Sequence, residues 1–236
     1  MDIFLLRHFE SIKNTQVSFS SIDDKEELTD IGVMQGKQVA NNLRMILELK
    51  RLTVKKIYCA DSVRAKQSAE LIATELSENV KVQAFRELLS TKSKDTIGKT
   101  REEVRKINPR FMRELSLYDA GIFNSYNFHR EVGKMEKIEY EMKVCKCIER
   151  IIHNNEEENA KIICLHNSSL TAIVINIARE LCQYPDAYYG KVIADNGKIF
   201  WIQSEQEDSN FCAANCDSKL LLDIIKEEMY ASQTNY

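Results

Sequence analysis

Residues that interrupt regular structure are scarce: the 236-residue chain has 2 prolines and 7 glycines. That scarcity predicts long elements and few sharp turns, and it excludes a collagen-like fibre. No charge of one sign dominates, since Lys plus Arg is 33 and Asp plus Glu is 36, a formal net charge of −3. Nothing in that balance draws the chain to nucleic acid or to an anionic membrane. No run approaches the roughly 18 apolar residues of a membrane span. The opening Met1-Asp2-Ile3-Phe4-Leu5-Leu6-Arg7-His8 lacks the basic region and long apolar run of a secretory signal. Its 7 cysteines are odd in number, and several sit in apolar runs such as Ile57-Tyr58-Cys59 and Ile162-Ile163-Cys164-Leu165. Free buried thiols fit that pattern better than a disulfide framework. The expectation is a cytoplasmic protein with no membrane and no nucleic-acid partner.

What is present is ordinary globular material, 44% hydrophobic and 29% charged, long enough to bury a core without staples. Residues 2–6 read as an apolar strand, followed by a loop to about residue 28. Thr29 or Asp30 caps a helix reaching about Lys50, with Val33, Ala40, Leu43 and Leu47 as its apolar stripe. Residues 54–59 form a second strand, and Asp61 or Ser62 caps a helix to about Leu76. Val80 to Phe85 is a third strand. A short helix over Thr100 to Ile107 stops before Pro109. Residues 109–135 form a lid or cap, and Lys134 to His153 an amphipathic helix. Lys161 to Leu165 is a buried strand, followed by an apolar helix over 168–181. Strands at 188–194 and 198–203 meet across Asp195-Asn196-Gly197, a hairpin signal. A helix from Asp217 to Met229 closes the chain. The alternation predicts a single α/β domain over 1–236. It is a three-layer α/β/α fold, a mostly parallel mixed sheet with helices on both faces and an antiparallel strand near the C-terminus.

Binding groups in such a sheet gather at the carboxyl ends of the strands. One strand end delivers Arg7-His8, and another delivers His166, followed by Asn167-Ser168-Ser169 at a helix start. A third precedes Ala60-Asp61-Ser62-Val63-Arg64. Two of only 4 histidines and two arginines thus meet at one edge. Arginine forks match phosphate oxygens, helix amino termini add N–H donors, and a neutral histidine can attack phosphorus. His129 and His153 read as surface residues. Ser11 and Ser168 read as hydrogen-bonding helpers, because no acid completes a serine triad. The cysteine pairs Cys145/Cys147 and Cys212/Cys216 lack the further ligands of a zinc site, so no metal or other cofactor is expected.

These segments resemble the histidine phosphatase superfamily, the phosphoglycerate mutase-like group. Leu6-Arg7-His8-Phe9-Glu10-Ser11 with Asn14 is similar to its opening motif. Leu28-Thr29-Asp30-Ile31-Gly32 with Gln35-Gly36 looks like the segment that follows. Asp61-Ser62-Val63-Arg64-Ala65-Lys66-Gln67-Ser68-Ala69 resembles the helix start bearing the second arginine, Phe85-Arg86-Glu87-Leu88 the acid-bearing segment, and Leu165-His166-Asn167 the second histidine motif.

The resemblance implies a metal-independent phosphomonoesterase acting on a small phosphorylated metabolite. His8 would be the nucleophile that carries the phosphoryl group. Arg7, Arg64 and His166 would hold the phosphate oxygens, with Asn14 as a further contact and Asn167 beside the second histidine. Glu87 would protonate the leaving oxygen, Glu10 being the alternative acid and a bland surface carboxylate the alternative role for Glu87. Asn14 also reads as a loop cap. Two departures stand out: Phe9 and Asn167 replace the glycines usual after each histidine. A ring at position 9 is expected to narrow the pocket or line it with an apolar wall, and asparagine tolerates left-handed backbone. Other readings are a phosphoglycerate mutase, disfavoured because the loop from Asn14 to Leu28 lacks a tryptophan-containing pattern, and a catalytically weak protein that binds a phosphate ligand. A homodimer is possible through an antiparallel edge or through the helix over 134–153.

Overall fold

Six strands set the frame, and their register explains the site. A computed structural model describes residues 1–16, 19, 25–90, 96–119, 134–154, 158–170, 172–173, 195–202 and 214–216; the side chains of 114, 117–119, 134–138 and 214–216 are left aside. Strand β1 is Asp2–Arg7, β2 Lys56–Ala60, β3 Lys81–Phe85, β4 Ala160–Leu165, β5 Ile199–Ile202 and β6 Ala214–Cys216. They form one sheet in the order β3-β2-β4-β1-β5-β6. Strands β3, β2, β4 and β1 run parallel, whereas β5 is antiparallel to both β1 and β6. The helices lie on both faces, giving the three-layer α/β/α architecture expected.

Strands buried on both faces must be apolar throughout. Phe4, Leu5 and Leu6 of β1 and Ile162, Ile163, Cys164 and Leu165 of β4 are all fully buried. Edge strand β3 is largely exposed. Cys59 and Cys164 sit directly opposite each other on β2 and β4. Burial pushes the Cys59 thiol up to about 12 and the Cys164 thiol well above its ordinary value, so neither is a nucleophile at neutral pH.

Helix α1 is Ile12–Thr15, α2 Asp30–Leu49, α3 Val63–Leu76, α4 Arg101–Ile107, α5 Pro109–Asp119 and α6 Lys134–Ile152. Thr29 caps α2, Ser62 caps α3 and Thr100 caps α4, each accepting from a backbone N–H. Pro109 both ends α4 and opens α5, where its missing N–H costs nothing. Cys147, Val144, Ile148 and Ile151 of α6 join the same core as β1, β2 and β4.

Several expectations need correction. The stretch between β1 and α2 contains the short helix α1 and a bridge between Ser11 and Leu28. The buried stripe of α2 runs through Gly32, Gly36, Val39, Ala40, Leu43, Ile46 and Leu47, while Val33 is exposed. A glycine sets that phase: a Cβ on Gly32 would stand 2.0 Å from the carbonyl oxygen of Glu10, so only glycine lets α2 rest on the exit of β1. Strand β6 was not expected. The arm at 188–194, most of the helix over 168–181 and the closing helix over 217–229 lie outside the described residues. So does most of the lid at 109–135, with α5 its described start.

Candidate active site

The β1–β4 register pairs Arg7 with Leu165, so the two strands end level. The next residue of each is a histidine. The backbone N–H of His8 extends the ladder by donating to Leu165 O (2.9 Å). The two imidazoles therefore emerge side by side, ring centroids 5.1 Å apart in an edge-on arrangement. Strand β2 pairs with the far side of β4. Its exit turns into α3, whose first turn carries Arg64. His8, Arg64 and His166 are 4%, 2% and 3% exposed, which makes the cluster a buried one.

Arg64 joins the two rings. Its Nε donates to His8 Nε2 (3.3 Å) and its Nη2 to His166 Nδ1 (3.4 Å). Because a guanidinium only donates, both ring atoms must present lone pairs. The opposite nitrogen of His8, Nδ1, then carries the proton and donates to Phe9 O (2.7 Å). His166 Nε2 donates to Ser62 Oγ (3.1 Å), the hydroxyl that also caps α3. Burial, then the charges of Arg7 and Arg64, hold the His8 imidazole well below the usual histidine range, against the opposing pull of the Phe9 carbonyl. In this neutral tautomer the lone pair lies on Nε2, facing Arg64.

Phe9 corrects the expectation of an apolar pocket wall. Its ring is fully buried in the core. A Cβ on Gly36 would meet the ring at 2.8 Å and one on Gly197 at 3.2 Å, so two distant glycines make room for it. Among the described non-glycine residues only Arg51 has a positive φ. Neither Phe9 nor Asn167 uses left-handed backbone, so the glycines they replace are not required for conformation. The Phe9 N–H donates to Ser68 Oγ (3.1 Å), and that hydroxyl donates to Arg64 O (2.7 Å). The residue after His8 is thus clamped to the helix that carries Arg64.

The other motif residues serve the same clamp. Gln35 Oε1 accepts from Glu10 N (3.0 Å), Gln67 Oε1 accepts from Leu28 N (2.8 Å), and Thr29 Oγ1 donates to Glu10 Oε1 (2.7 Å). Glu10 is therefore a structural partner of Thr29 in this arrangement. Asn14 closes a capping box with Ser11, as its loop-cap reading expected. Its Oδ1 also accepts from Asn196 Nδ2 (3.3 Å). Asn196 in turn donates to His8 O (2.8 Å). Asn196, Ser62 and Ser68 were not singled out as site residues. The signals were there as an Asn-Gly turn, a helix cap and a seryl in a motif, but their reach to the histidines depends on the folded chain. Asn167 is half-buried and opens the helical turn after His166. His153 is exposed, as expected; His129 lies outside the described residues.

Glu87 is less closely joined. It follows β3, whose Phe85 O accepts from Asp61 N (3.1 Å), so it lies at the same sheet edge. Its carboxylate, however, pairs with Arg150 of α6 at 2.8 Å. That bond, then one to its own backbone N–H, holds its carboxyl below the usual range. Among the described residues no hydrogen bond joins Glu87 to His8, Arg64 or His166. Nor does any group of three His, Cys, Asp or Glu there match a metal site.

The model of the histidine phosphatase superfamily (branch 1) matches residues 3–217. The chain belongs to that superfamily. It is by family a metal-independent enzyme of the histidine-phosphatase type, with phosphomonoester chemistry at that level. Solved structures share the fold at low identity. A Bacillus stearothermophilus protein, YhfR, aligns at TM-score 0.65 and 15% identity, covering 92% of this chain and 98% of its own. A putative alpha-ribazole-5'-P phosphatase from Escherichia coli aligns at 0.63 and 15%, covering 92% and 97%. A phosphoserine phosphatase mutant from Entamoeba histolytica, solved with phosphoserine, aligns at 0.59 and 16%, covering 91% and 96%. No curated protein sequence matches the chain. Among the described residues no helix of this histidine phosphatase is long and apolar enough to cross a membrane.

Proposed function

We propose that the protein hydrolyses the phosphomonoester of a small metabolite in two displacements. His8 Nε2 attacks phosphorus and the ester oxygen leaves with a proton; water then attacks the phosphohistidine and phosphate departs. Arg7, Arg64 and His166 hold the phosphoryl oxygens, with Asn14 and Asn167 at the lip. The observation that carries this reading is the neutral His8, its Nδ1 proton held by the Phe9 carbonyl and its Nε2 beside the Arg64 guanidinium. Glu87 is the proton donor in this proposal. A bound phosphate dianion would raise its pKa by like-charge repulsion and offset the pull of Arg150. The reading takes residues 1–236 as one domain with 109–135 as its lid, and the cytoplasm as its compartment.

A second reading, a weakly catalytic binder of phosphate ligands, is favoured by the Glu87–Arg150 pair, which keeps the expected acid ionised. Phosphate release from p-nitrophenyl phosphate by the parent beside His8→Ala, without added metal, separates the two. Release by the parent alone supports hydrolysis through His8. No release above the variant supports the binding protein, and equal release overturns His8 as nucleophile.

A further inference from the structure

Arg64 is held from three directions. Its Nε and Nη2, the edge that forms a two-pronged fork, face His8 and His166. Its remaining nitrogen, Nη1, pairs with Glu26 Oε2 at 3.1 Å. Both side chains are nearly buried, at 3% and 11% exposed. The carboxylate therefore sits behind the fork, outside the space between the histidines, where it neutralises the arginine without occupying the phosphoryl position.

We propose that Glu26 acts as a charge brake on the phosphoryl site, weakening its hold on anions so that the phosphate product leaves. This rests on the reading of Arg64 as a phosphate ligand and adds a residue that no motif singled out. A dianion held by the Nε–Nη2 edge lies within a guanidinium's width of the Glu26 carboxylate. In a buried site that repulsion is poorly screened. The surroundings agree. Lys13, one residue before Asn14, is half-buried. Burial, and the charges of Arg64 and Arg101, hold its amine below the ordinary value, while Glu26 pulls the other way. Glu26 thus acts electrostatically on Lys13 as well as on Arg64.

The test is calorimetric titration of the full chain with inorganic phosphate, beside Glu26→Gln, Glu26→Ala, Glu26→Asp and Arg64→Met. Glu26→Gln is expected to tighten phosphate binding on the order of tenfold. Glu26→Ala reads the same charge removal should the amide not be accommodated. Glu26→Asp, which keeps the charge, stays near the parent. In turnover, KM and the inhibition constant for phosphate fall together in Glu26→Gln, by a larger factor than any change in kcat. Unchanged or weaker phosphate binding in both Glu26→Gln and Glu26→Ala overturns the brake, as does a Glu26→Asp that behaves like Glu26→Gln. Parent protein whose phosphate binding is absent or indifferent to Arg64→Met overturns the site reading itself, a separate failure.

Discussion

The two ends of the sheet treat buried charge in opposite ways. At the amino edge, Lys161 at the start of β4 is 1% exposed and pairs with Glu158, itself fully buried. Glu158 Oε2 accepts from the backbone of Lys55 (2.8 Å), and its Oε1 accepts from Tyr58 OH (3.2 Å). One cation meets one carboxylate, and neighbours take up the remaining lone pairs. At the carboxyl edge, Arg64 bridges two histidines and pairs with Glu26, and the charge of Arg7 also acts on His8. A closed pair of this kind ties β4 to β2 and has no reason to bind anything. The difference lies in what the cation faces: at one edge a carboxylate and the backbone around it, at the other a carboxylate and two imidazole rings.

Breaking the closed end should cost the most. Lys161→Ala strands the Glu158 carboxylate in the core. It should lower unfolding free energy by about 3–5 kcal/mol, read by urea titration, with phosphate affinity little changed. Equal loss of both would show that the two edges are not independent.

Arg64→Met should weigh on activity more than on stability: kcat/KM for a phosphomonoester falls by about 10²–10³-fold, or roughly 2.7–4 kcal/mol, while the lost pair with Glu26, less deeply buried than Glu158, lowers stability by less than Lys161→Ala does. A stability loss matching that of Lys161→Ala would mean that Arg64 is chiefly structural.

Gly36→Ala drives a methyl against Leu71 Cδ2 (2.1 Å) and the Phe9 ring (2.8 Å) and should destabilise by about 1–3 kcal/mol. Combined with Phe9→Ala it should cost less than the two single changes added, because the smaller residue vacates the same space. Strict additivity would show that the cost of Gly36→Ala falls on Leu71 and not on the ring.

The smallest effects are titrations. His8 should remain neutral near pH 6.5, where an ordinary histidine is half protonated, and ring nitrogen shifts by NMR would show it. The sign for stability follows. A histidine with a lowered folded pKa takes up its proton more readily when unfolded, so its contribution is lost as pH falls below the ordinary histidine value. Arg150→Gln should let the Glu87 pKa rise, moving the alkaline limb of kcat to higher pH if Glu87 donates the proton. A limb that stays in place would remove Glu87 from that role.

Most of the frame was legible because it rests on local rules. Thr29, Ser62 and Thr100 announce helix starts, and unbroken apolar runs announce β1 and β4. Arg7-His8 and His166 were readable as site groups because each follows such a run. Legibility failed where a residue's meaning is set by a distant one. Val33 fits the α2 stripe by period, but Gly32 seated on Glu10 turns the helix so that Val33 faces outward. Phe9 looked like a pocket wall because Gly36 and Gly197 are remote in sequence. The Arg150 partner of Glu87 was not legible, because it belongs to another element. Glu26 sits in a charged stretch with no period, and only the folded chain brings it to Arg64.

The level ending of β1 and β4 has a consequence for how such a protein can vary. Each histidine is the first residue past its strand, so their meeting is fixed by strand length and pairing, with the loops that connect the elements between β1 and β4 free to change in size. Loops and caps can be exchanged without disturbing the pair. A single-residue deletion inside β4 cannot be absorbed. It would draw His166 back by about 3.3 Å and turn alternate side chains to the opposite face. The site is in this sense a matter of counting: tolerant of insertion in the loops between the strands, and intolerant of one residue within them.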